Sequence, residues 1–448
     1  MFSFAYRTLT GLGAPLIALY LLKRRVGGRE DEARFPERLG YASRGRPLGR
    51  LIWCHAASVG EAASILALIE KLRTLYPATH ILVTTGTVTS ARMLGERLPK
   101  GAIHQYVPVD RAPYVERFLS HWKPDLAILI ESELWPNMLN SLRGRLIPTA
   151  LVNGRMSDKS FRRWYRFRGW AKELMSTFVV CLVQTEDDRG RFVALGARPV
   201  RCFGNLKYAA NPLPIDEQEL ARLRDEVGNR PLWLMASSHR GEEDMALAAH
   251  RALRKKYPEL LTVIVPRHAV RGSEIAEMVE ERGIAFARRS IKEAITPQTE
   301  IYLADTMGEL GLFYRLSSMA AIGGSFVAVG GHNPIEPAQL DCAIIFGPHM
   351  RNFSAIAREF TRRQAALQLQ NANELVFAIE RLLEAPHERL LYATAARALA
   401  DEKRNVLDRV LEALASWLER KPQTKNQIPE DSHTSRKRSL SLPLTEGM

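Results

Sequence analysis

Glu61 lies in a segment whose residue types suit proton transfer, His55-Ala-Ala-Ser-Val-Gly-Glu61. The segment follows an apolar run and opens a long helical pattern. At that position the carboxylate could act as a general base, beside Gly60, which would let a substrate approach closely. Ser58 and Glu61 also have the S-x-x-E spacing of a capping box, which fixes a helix start without any catalysis. From spacing alone, the base and the cap both stay open.

A second pair of carboxylates, Glu131 and Glu133, comes directly after the apolar run Leu126–Ile130. The end of a strand is a favourable place for a site, because side chains there border the crevice beyond the sheet. Trp135 and Pro136 are expected to start a helix, so one of the two carboxylates could instead cap that helix.

The stretch from Ile322 to Ala338 predicts a nucleotide site. It contains four glycines after an apolar run: Gly323, Gly324, Gly330 and Gly331. Asn333 is expected to cap the following helix, with Pro334 in its first position and Glu336 in its first turn. Backbone amides beside glycine, next to a helix N-terminus, suit a phosphate, and the Glu336 carboxylate suits a ribose. The alternative is a well-capped helix after a tight turn.

Other short polar segments also follow apolar runs. They are Asn153–Ser157, Ala236–Glu243, Val265–His268 and Asp305–Glu309. A single segment of this kind is weak evidence. Polar turns that repeat at strand ends around one cleft, however, indicate a binding site.

Apolar runs and helical patterns alternate from residue 51 onward, which predicts an α/β protein with parallel sheets. The first set of strands is Leu51–Cys54, Ile81–Thr85, Leu126–Ile130, Thr149–Val152 and Phe178–Val183. After a turn-rich hinge at 204–214, the second set is Leu232–Ala236, Leu261–Val265, Ile301–Leu303, Met319–Ile322 and Ala343–Phe346. Helices are expected over Glu61–Leu75 and Arg111–Trp122. We therefore expect two doubly wound Rossmann-like domains that face a cleft, residues 26–203 and 204–420.

The two ends of the chain depart from this pattern. Thr8–Leu22 carries no charge, and together with Met1–Tyr6 the run approaches the length that spans a membrane. Three basic residues follow at once, which would keep the rest of the chain on the cytoplasmic side. Residues 1–25 are therefore predicted to form a helix that anchors in the membrane or lies at its interface, with a buried helix as the alternative. Residues 421–448 are polar and basic and are predicted to be a disordered tail.

The charge balance favours an acidic partner. Lys and Arg outnumber Asp and Glu by 63 to 49, a net charge of +14, which fits nucleic acid, anionic lipid or a phosphorylated substrate. The four cysteines form no C-x-x-C pair, so neither a disulfide framework nor a zinc site is expected. The sequence has no P-loop and no G-x-G-x-x-G after an early strand, which argues against ATPase and dehydrogenase functions. It has no H-E-x-x-H metal-binding motif either.

Taken in order, these segments resemble the 3-deoxy-D-manno-octulosonic acid (Kdo) transferases of lipopolysaccharide biosynthesis. The resemblance runs from the N-terminal anchor to about residue 420 and includes the turn Gly204–Lys207 and the segment Asp305–Leu310. It implies a GT-B fold and an inverting glycosyl transfer. No metal or other cofactor is expected, because fixed cations could meet the charge on the departing CMP. The donor would be CMP-Kdo. The acceptor would be a lipid A precursor at the cytoplasmic face of the bacterial inner membrane.

The same resemblance implies roles for residues of this chain. Glu61 is similar to the base that takes the proton of the acceptor hydroxyl, and Glu131 and Lys207 are similar to residues that stabilise the transition state. The residues similar to a CMP site are Pro266, Arg267, Met307, Gly308, Glu309, Asn333, Pro334, Ile335 and Glu336. A donor with a phosphodiester and a carboxylate needs cations, which Arg267 and Lys207 could supply.

Two other functions stay open on the sequence. A basic, membrane-tethered nucleic-acid-binding protein would need cations on one face with interleaved aromatic side chains. Here the basic residues are dispersed, so nucleic acid is not expected as a partner. A GT-B enzyme that uses a UDP-sugar is the closer alternative. The expected partners are the lipid A precursor, CMP-Kdo and anionic inner-membrane lipid.

Overall fold

Seven parallel strands form the first sheet of the computed structural model, which describes residues 2–420. In chain order they are β1 (Leu51–His55), β2 (His80–Thr85), β3 (Ala102–Tyr106), β4 (Leu126–Ile130), β5 (Thr149–Gly154), β6 (Phe178–Val183) and β7 (Val200–Cys202). Across the sheet their order is β3-β2-β1-β4-β5-β6-β7. The tail predicted for residues 421–448 lies outside the described residues.

The helices of this half precede, connect and cover these strands. They are α1 (Phe2–Leu12), α2 (Ala14–Val26), α3 (Val59–Ser64), α4 (Leu66–Leu75), α5 (Val88–Arg97), α6 (Ala112–Trp122), α7 (Pro136–Gly144), α8 (Asp158–Arg166), α9 (Arg168–Met175) and α10 (Glu186–Ala194). A short 3₁₀ helix, Leu206–Ala209, then leads to the second half.

The second half repeats the arrangement with seven further parallel strands. They are β8 (Leu232–Ser238), β9 (Leu261–Pro266), β10 (Phe286–Arg288), β11 (Ile301–Leu303), β12 (Met319–Ile322), β13 (Ala343–Phe346) and β14 (Leu367–Gln368). Its helices are α11 (Glu217–Val227), α12 (Glu242–Arg254), α13 (Gly272–Glu281), α14 (Leu310–Leu316), α15 (Ile335–Ala338), α16 (Ser354–Arg362), α17 (Glu374–Glu384), α18 (Pro386–Glu402) and α19 (Val406–Leu418). The strand order is β10-β11-β9-β8-β12-β13-β14.

Helices cover both faces of each sheet, which explains why the central strands are apolar along their whole length. Alternate residues of a strand point to opposite faces. In β1, Trp53 therefore joins one buried cluster, and Ile52 and Cys54 join the other. In β8, Met235 and Leu234 divide in the same way. The predicted fold of two parallel α/β units is confirmed.

The strands that the sequence did not predict are the four at the sheet edges, β3, β7, β10 and β14. They are short or partly polar, such as Ala102-Ile-His-Gln-Tyr106 and Phe286-Ala-Arg288. An edge strand pairs on one side only and borders solvent, so the apolar run that marks a buried strand is missing.

The order of strands reverses once in each sheet. From β1 the chain winds outward through β2 and β3, then returns to the other side of β1 as β4. In the second sheet it winds outward from β8 through β9 and returns beside β8 as β12. At such a point the connections leave in opposite directions, and a crevice opens beyond the carboxyl ends of the two strands. Each sheet therefore has one favoured place for a ligand.

Helix α19 packs against the first sheet although it follows the second. Its buried residues Val406 and Leu414 share an apolar cluster with Ile52 and Cys54 of β1. The apolar face of an amphipathic helix must be covered, and here the first sheet covers it. The predicted unit 204–420 is therefore wrong at its end, because its last helix completes the core of the first unit.

The N-terminal residues form two helices and not the one helix predicted over 1–25. Helix α1 ends at Leu12, and α2 begins beyond Gly13 with Pro15 in its first turn, where a proline cannot continue the preceding helix. Within residues 2–420, no single helix has the length and composition to cross a membrane; α1 and α2 together meet both criteria but are bent by 60°.

Helix α1 contacts the first unit through aromatic and polar side chains. The Tyr6 and Trp170 ring centroids are 5.7 Å apart, and Asn137 Nδ2 donates to Thr10 Oγ1 at 3.1 Å. These contacts fix one face of α1, whereas side chains on its other face, such as Leu9, are exposed.

Removal of the Leu414 side chain tests the position of α19. Because Leu414 is fully buried against the first sheet, we expect Leu414→Ala to lower the free energy of unfolding by about 2–5 kcal/mol. The exposed Leu390 of α18 is the control, and Leu390→Ala should change it by less than about 0.5 kcal/mol. Urea unfolding followed by circular dichroism measures both. Equal small effects would contradict the packing of α19.

Candidate active site

Glu61 is held at the carboxyl end of β1 by the start of α3. The Ser58 hydroxyl accepts from the Glu61 backbone N–H at 3.3 Å. The Glu61 carboxylate in turn accepts from the Ala57 N–H at 2.7 Å and from the Ser58 hydroxyl at 2.8 Å. The predicted cap is therefore confirmed. It also fixes a half-buried carboxylate at the point where the strand order of the first sheet reverses.

The helix predicted over Glu61–Leu75 is broken into α3 and α4 at Ile65. The Ser64 hydroxyl donates to the Glu61 carbonyl oxygen at 2.7 Å. This side-chain bond competes with the backbone bond that would continue the helix. The break shortens the element that carries Glu61 to six residues.

Glu131 follows β4 directly, on the other side of the same crevice. Its φ of 60° lies in the left-handed region, which is unusual for a residue with a side chain and is often found at functional sites. Glu133 turns towards β1, where its carboxylate lies 3.2 Å from His55 Nε2. The two strands at the reversal are thus joined by side chains as well as by backbone.

The sequence allowed Glu131 or Glu133 to cap α7, but neither carboxylate does so. Asp110 takes that role and accepts from the backbone N–H groups of Asn137 and Met138 at 3.1 and 2.9 Å. Asp110 lies in the loop before α6, so nothing in the local spacing around Trp135 indicated it. Glu131 is therefore free of the helix end.

Lys207 enters the same crevice from the 3₁₀ helix Leu206–Ala209. Asn205 Oδ1 accepts from the Lys207 N–H, and Asn153 Oδ1 accepts from the Leu206 N–H, both at 3.0 Å. The ammonium lies 4.4 Å from the ring centroid of Phe353, which belongs to the second unit. Lys207 is therefore held between the two halves of the protein.

The charges of Glu61, Glu131 and Lys207 act on one another. Burial, followed by the Glu61 carboxylate, raises the pKa of Glu131, while Lys207 and Arg155 oppose this rise. Burial lowers the pKa of Lys207, and the two carboxylates oppose that change. The structure thus brings the three residues together, along with Arg155 from the turn after β5.

The glycine-rich stretch after β12 does not leave its amides free. The Gly323 N–H donates to Ala236 O and the Gly324 N–H to Glu242 Oε2, both at 2.7 Å. The N–H groups of Gly330 and Gly331 donate to the Gly324 carbonyl at 3.1 and 2.7 Å. The predicted anion site built from glycine amides is therefore wrong, because the protein itself uses these donors.

These glycines are needed for close approach. A Cβ at position 323 would lie 2.1 Å from the Ser237 carbonyl oxygen, so β8 and β12 can pair at this point only without a side chain there. Gly331 has a φ of 75°, and its added Cβ would meet Met350. The glycine pattern indicates tight packing at the strand reversal.

Helix α15 begins one residue later than predicted and has only four residues. Pro334 occupies the cap position, and Asn333 Oδ1 accepts from the Ile335 N–H at 3.2 Å. Asn333 Nδ2 donates to Glu336 Oε1 at 3.1 Å. Burial raises the pKa of Glu336, and the Asn333 bond and the charges of Arg267 and Arg97 oppose this rise. Arg97 comes from α5, so this carboxylate also faces the first unit.

The other residues of the predicted CMP site follow β9 and β11. Pro266 ends β9, and Arg267 is exposed beside it. Strands β9 and β11 are neighbours, so Met307–Glu309 lies at the same edge of the sheet. The Glu309 carboxylate accepts from Arg289 at 2.6 and 3.1 Å, which leaves the exposed Met307 and Gly308 as the open part of that turn.

Several residues at the two crevices were not predicted as site residues. They are Arg97, Arg155, His239 and His332. Arg155 and His239 stand in polar segments that the sequence singled out, whereas no local pattern marks Arg97 at the end of a helix. Within residues 2–420, no group of three or more His, Cys, Asp or Glu side chains has the arrangement of a metal site.

Comparison with known proteins identifies the family. Residues 33–210 match the family model described as 3-deoxy-D-manno-octulosonic-acid transferase (kdotransferase). The chain is 34% identical to the 3-deoxy-D-manno-octulosonic acid transferase of Haemophilus influenzae over 94% of this chain and all of that protein. The chain belongs to this family. It is also 34% identical to the Rickettsia bellii transferase, over 92% of this chain and 99% of that one, and 38% identical to a probable mitochondrial one from Arabidopsis thaliana, over 85% and 88%.

Solved structures confirm the GT-B type of fold. A UDP-GlcNAc 2-epimerase from Neisseria meningitidis superposes with a TM-score of 0.57 at 12% identity, over 82% of this chain and all of that one. A glycosyltransferase from Rickettsia africae gives 0.55 at 12% identity, over 83% and all of that chain. Identities this low show the fold alone. The family membership makes the chain a glycosyltransferase.

The pKa of Lys207 predicts an early loss of transfer at alkaline pH. A folded pKa below the ordinary 10.5 means that the ammonium loses its proton at lower pH than a free lysine. We therefore expect the alkaline limb of kcat/KM to lie below pH 10.5. In Lys207→Arg the guanidinium stays charged, so the pH at which the residual activity declines should be higher. Lys256→Arg, beyond the end of α12 where Lys256 pairs with Glu380, should leave the limb in place. An unmoved limb in Lys207→Arg would contradict the role of this charge.

Proposed function

We propose that the protein transfers Kdo with inversion from CMP-Kdo to a lipid A precursor. The observation that carries the proposal is the meeting of Glu61, Glu131 and Lys207 at the strand reversal of the first sheet. Arg267 and Glu336 meet at the corresponding place in the second sheet. The names of the relatives support Kdo as the transferred group. The two crevices support an acceptor site and a donor site, respectively.

In the proposed reaction, Glu61 takes the proton of the acceptor hydroxyl as the hydroxyl oxygen attacks the anomeric carbon of Kdo. The bond from that carbon to the phosphate oxygen breaks, and CMP leaves with the electron pair. Attack and departure on opposite faces invert the anomeric configuration. The Ala57 and Ser58 bonds hold the Glu61 carboxylate in one orientation, which favours its action as a base.

Glu131 and Lys207 would stabilise the charges that develop during transfer. The Lys207 ammonium is fixed against Phe353 and faces carboxylates, so it needs little reorganisation to meet negative charge. On the donor side, the proposed CMP contacts are the exposed Arg267, the open turn Met307–Glu309 and the Asn333–Glu336 segment. The Glu336 carboxylate, oriented by Asn333, would accept ribose hydroxyls.

The proposed site of reaction is the cytoplasmic face of the bacterial inner membrane. Support comes from exposed apolar side chains on α1 and α2, among them Phe4, Leu12 and Leu16. Helix α8 lies nearby, since Phe2 contacts Phe167 at 6.0 Å between ring centroids. That helix and its junction to α9 carry the cations Lys159, Arg162, Arg163, Arg166 and Arg168. An apolar surface beside cations suits anionic lipid.

Thermal shifts with three ligands separate this proposal from the alternatives. CMP should raise the unfolding temperature, because a ligand that binds the folded state stabilises it. UDP at the same concentration should raise it less, and an oligonucleotide should have no effect at physiological salt. A larger shift with UDP would favour a UDP-sugar enzyme, and a shift with the oligonucleotide would favour a nucleic-acid-binding protein.

The substitution Glu61→Gln separates a base from a cap. The amide keeps hydrogen-bonding capacity but cannot take the acceptor proton, so we expect the transfer rate to fall by about 10² to 10⁴. CMP affinity should be retained, because the proposed CMP residues follow the strands of the other sheet. Ser58→Ala is the comparison, since it removes the cap hydroxyl and one of the two bonds that orient the carboxylate but leaves the carboxylate itself, and it should lose much less activity than Glu61→Gln. Equal rates in the two variants would reject the base.

Transfer should persist after metal removal. The departing phosphate has Arg267 available, and we expect such fixed cations to meet its charge. The measurement is the transfer rate in excess EDTA, compared with the rate after dialysis without EDTA. Complete loss of activity, followed by recovery on addition of Mg²⁺, would contradict this expectation.

A further inference from the structure

In the second crevice, the glycine amides expected to hold the anion of the donor are not free. The glycine amides after β12 are already bonded within the protein. Glu242 also accepts from the backbone N–H groups of His239 and Phe326 at 2.9 and 3.0 Å. Helix α15, with four residues, has no N-terminal site to offer. Side-chain donors at the strand reversal include the imidazoles of His239 and His332 and the guanidinium of Arg267.

Two histidines face each other directly above this reversal. His239 follows β8 and His332 follows β12, the two strands at which the order reverses. Their Nε2 atoms are 2.8 Å apart, and the two ring planes are nearly parallel, with an interplanar angle of 4°. A hydrogen bond at this distance needs one Nε2–H and one bare Nε2. The pair therefore shares a single proton between these atoms, because two N–H groups would repel each other.

The surroundings of the pair oppose a second proton. Burial, Arg267 and the neighbouring histidines lower the pKa of His332 to about 3. Burial and His268 also lower the pKa of His239. The charged and titratable groups that face the pair from neighbouring elements are Arg267, His268, Arg271, Glu242 and Glu243. Arg267 and Arg271 thus attract an anion to the pair, although the pair itself carries no positive charge before the anion binds.

We propose that His239 and His332 separate to bind the donor phosphate between their Nε2–H groups and take up a proton as they do so. This inference rests on the proposed function and adds two phosphate ligands to it. The phosphate oxygens replace the His–His hydrogen bond with two bonds from N–H donors. The bare Nε2 gains the additional proton from solvent, and the resulting imidazolium offsets the charge of the phosphodiester.

The sign of the pH dependence follows from this proton uptake. A complex that holds one more proton than the free protein and free ligand is favoured as pH falls. The dissociation constant should therefore decrease by up to about tenfold for each pH unit between the pKa of the free pair and that of the bound pair. A phosphate bound by Arg267 alone would show no such dependence, because the guanidinium does not titrate in this range.

Isothermal titration of the full chain with the methyl ester of cytidine 5′-monophosphate tests the inference. This phosphodiester keeps one negative charge from pH 6 to 8, so any proton taken up belongs to the protein. We expect affinity to rise as pH falls and about one proton to be taken up, measured in two buffers that differ in ionisation enthalpy. Cytidine, which lacks the phosphate, should bind without this dependence.

The substitutions His332→Gln and His239→Gln remove titration but keep hydrogen-bonding groups. Each should abolish the proton uptake and weaken binding at pH 6 by about 10- to 100-fold. His387→Gln, on the exposed face of α18, is the matched control and should behave as the unsubstituted chain. Circular dichroism checks that the variants fold; if one does not, the proton count of the unsubstituted chain decides.

The possible outcomes distinguish this inference from the proposed function. Binding of the ester with pH-independent affinity and no proton uptake would overturn the role of the pair and leave the donor site standing. Retention of the pH dependence in both histidine variants would overturn it as well. Failure of the unsubstituted chain to bind either the ester or CMP at any pH would reject the proposed function itself, and the inference with it.

Discussion

The protein depends on one constraint: two parallel sheets must be covered by helices on both faces. A chain that satisfies this constraint winds outward from a central strand, then returns to the opposite side of that strand. The return creates one place in each sheet, between β1 and β4 and between β8 and β12, where neighbouring connections diverge. Burial of apolar strands thereby determines where polar side chains can collect, although it says nothing about their chemistry.

The two collections have opposite electrostatic character. In the first, the Glu61 carboxylate is close enough to disfavour the charge of Glu131, and Lys207 and Arg155 offset that repulsion. In the second, carboxylates serve mainly to hold the backbone, as Glu242 does, and cations and imidazoles face the crevice. The proposed transfer, which removes a proton from the acceptor and releases CMP from the donor, fits this division.

The sequence predicted the parts of the structure that depend on buried, continuous patterns. The central strands, the capped start at Ser58 and the positions of Glu61 and Glu131 after strands follow from apolar runs and the polar turns after them, whereas Lys207 was indicated only by the resemblance to the Kdo transferases. The failures involve bonds between segments remote in the chain. Nothing near Gly324 shows that Glu242 occupies its amide, and nothing near Trp135 shows that Asp110 caps α7. Likewise, the amphipathic pattern of α19 reveals an apolar face but not which sheet covers it.

The return of α19 to the first sheet has a mechanical consequence. The chain passes between the two units twice, once near Leu206–Ala209 and once between α18 and α19. The two passages lie side by side, since the Lys403 ammonium of the second is 5.6 Å from the ring centroid of Tyr208 in the first. Two adjacent connections allow one unit to rotate about the line that joins them, and they oppose both twist about other axes and separation of the units. Lys207 comes directly before Tyr208, so its ammonium lies close to that line. A rotation that opened or closed the cleft would therefore move the ammonium little.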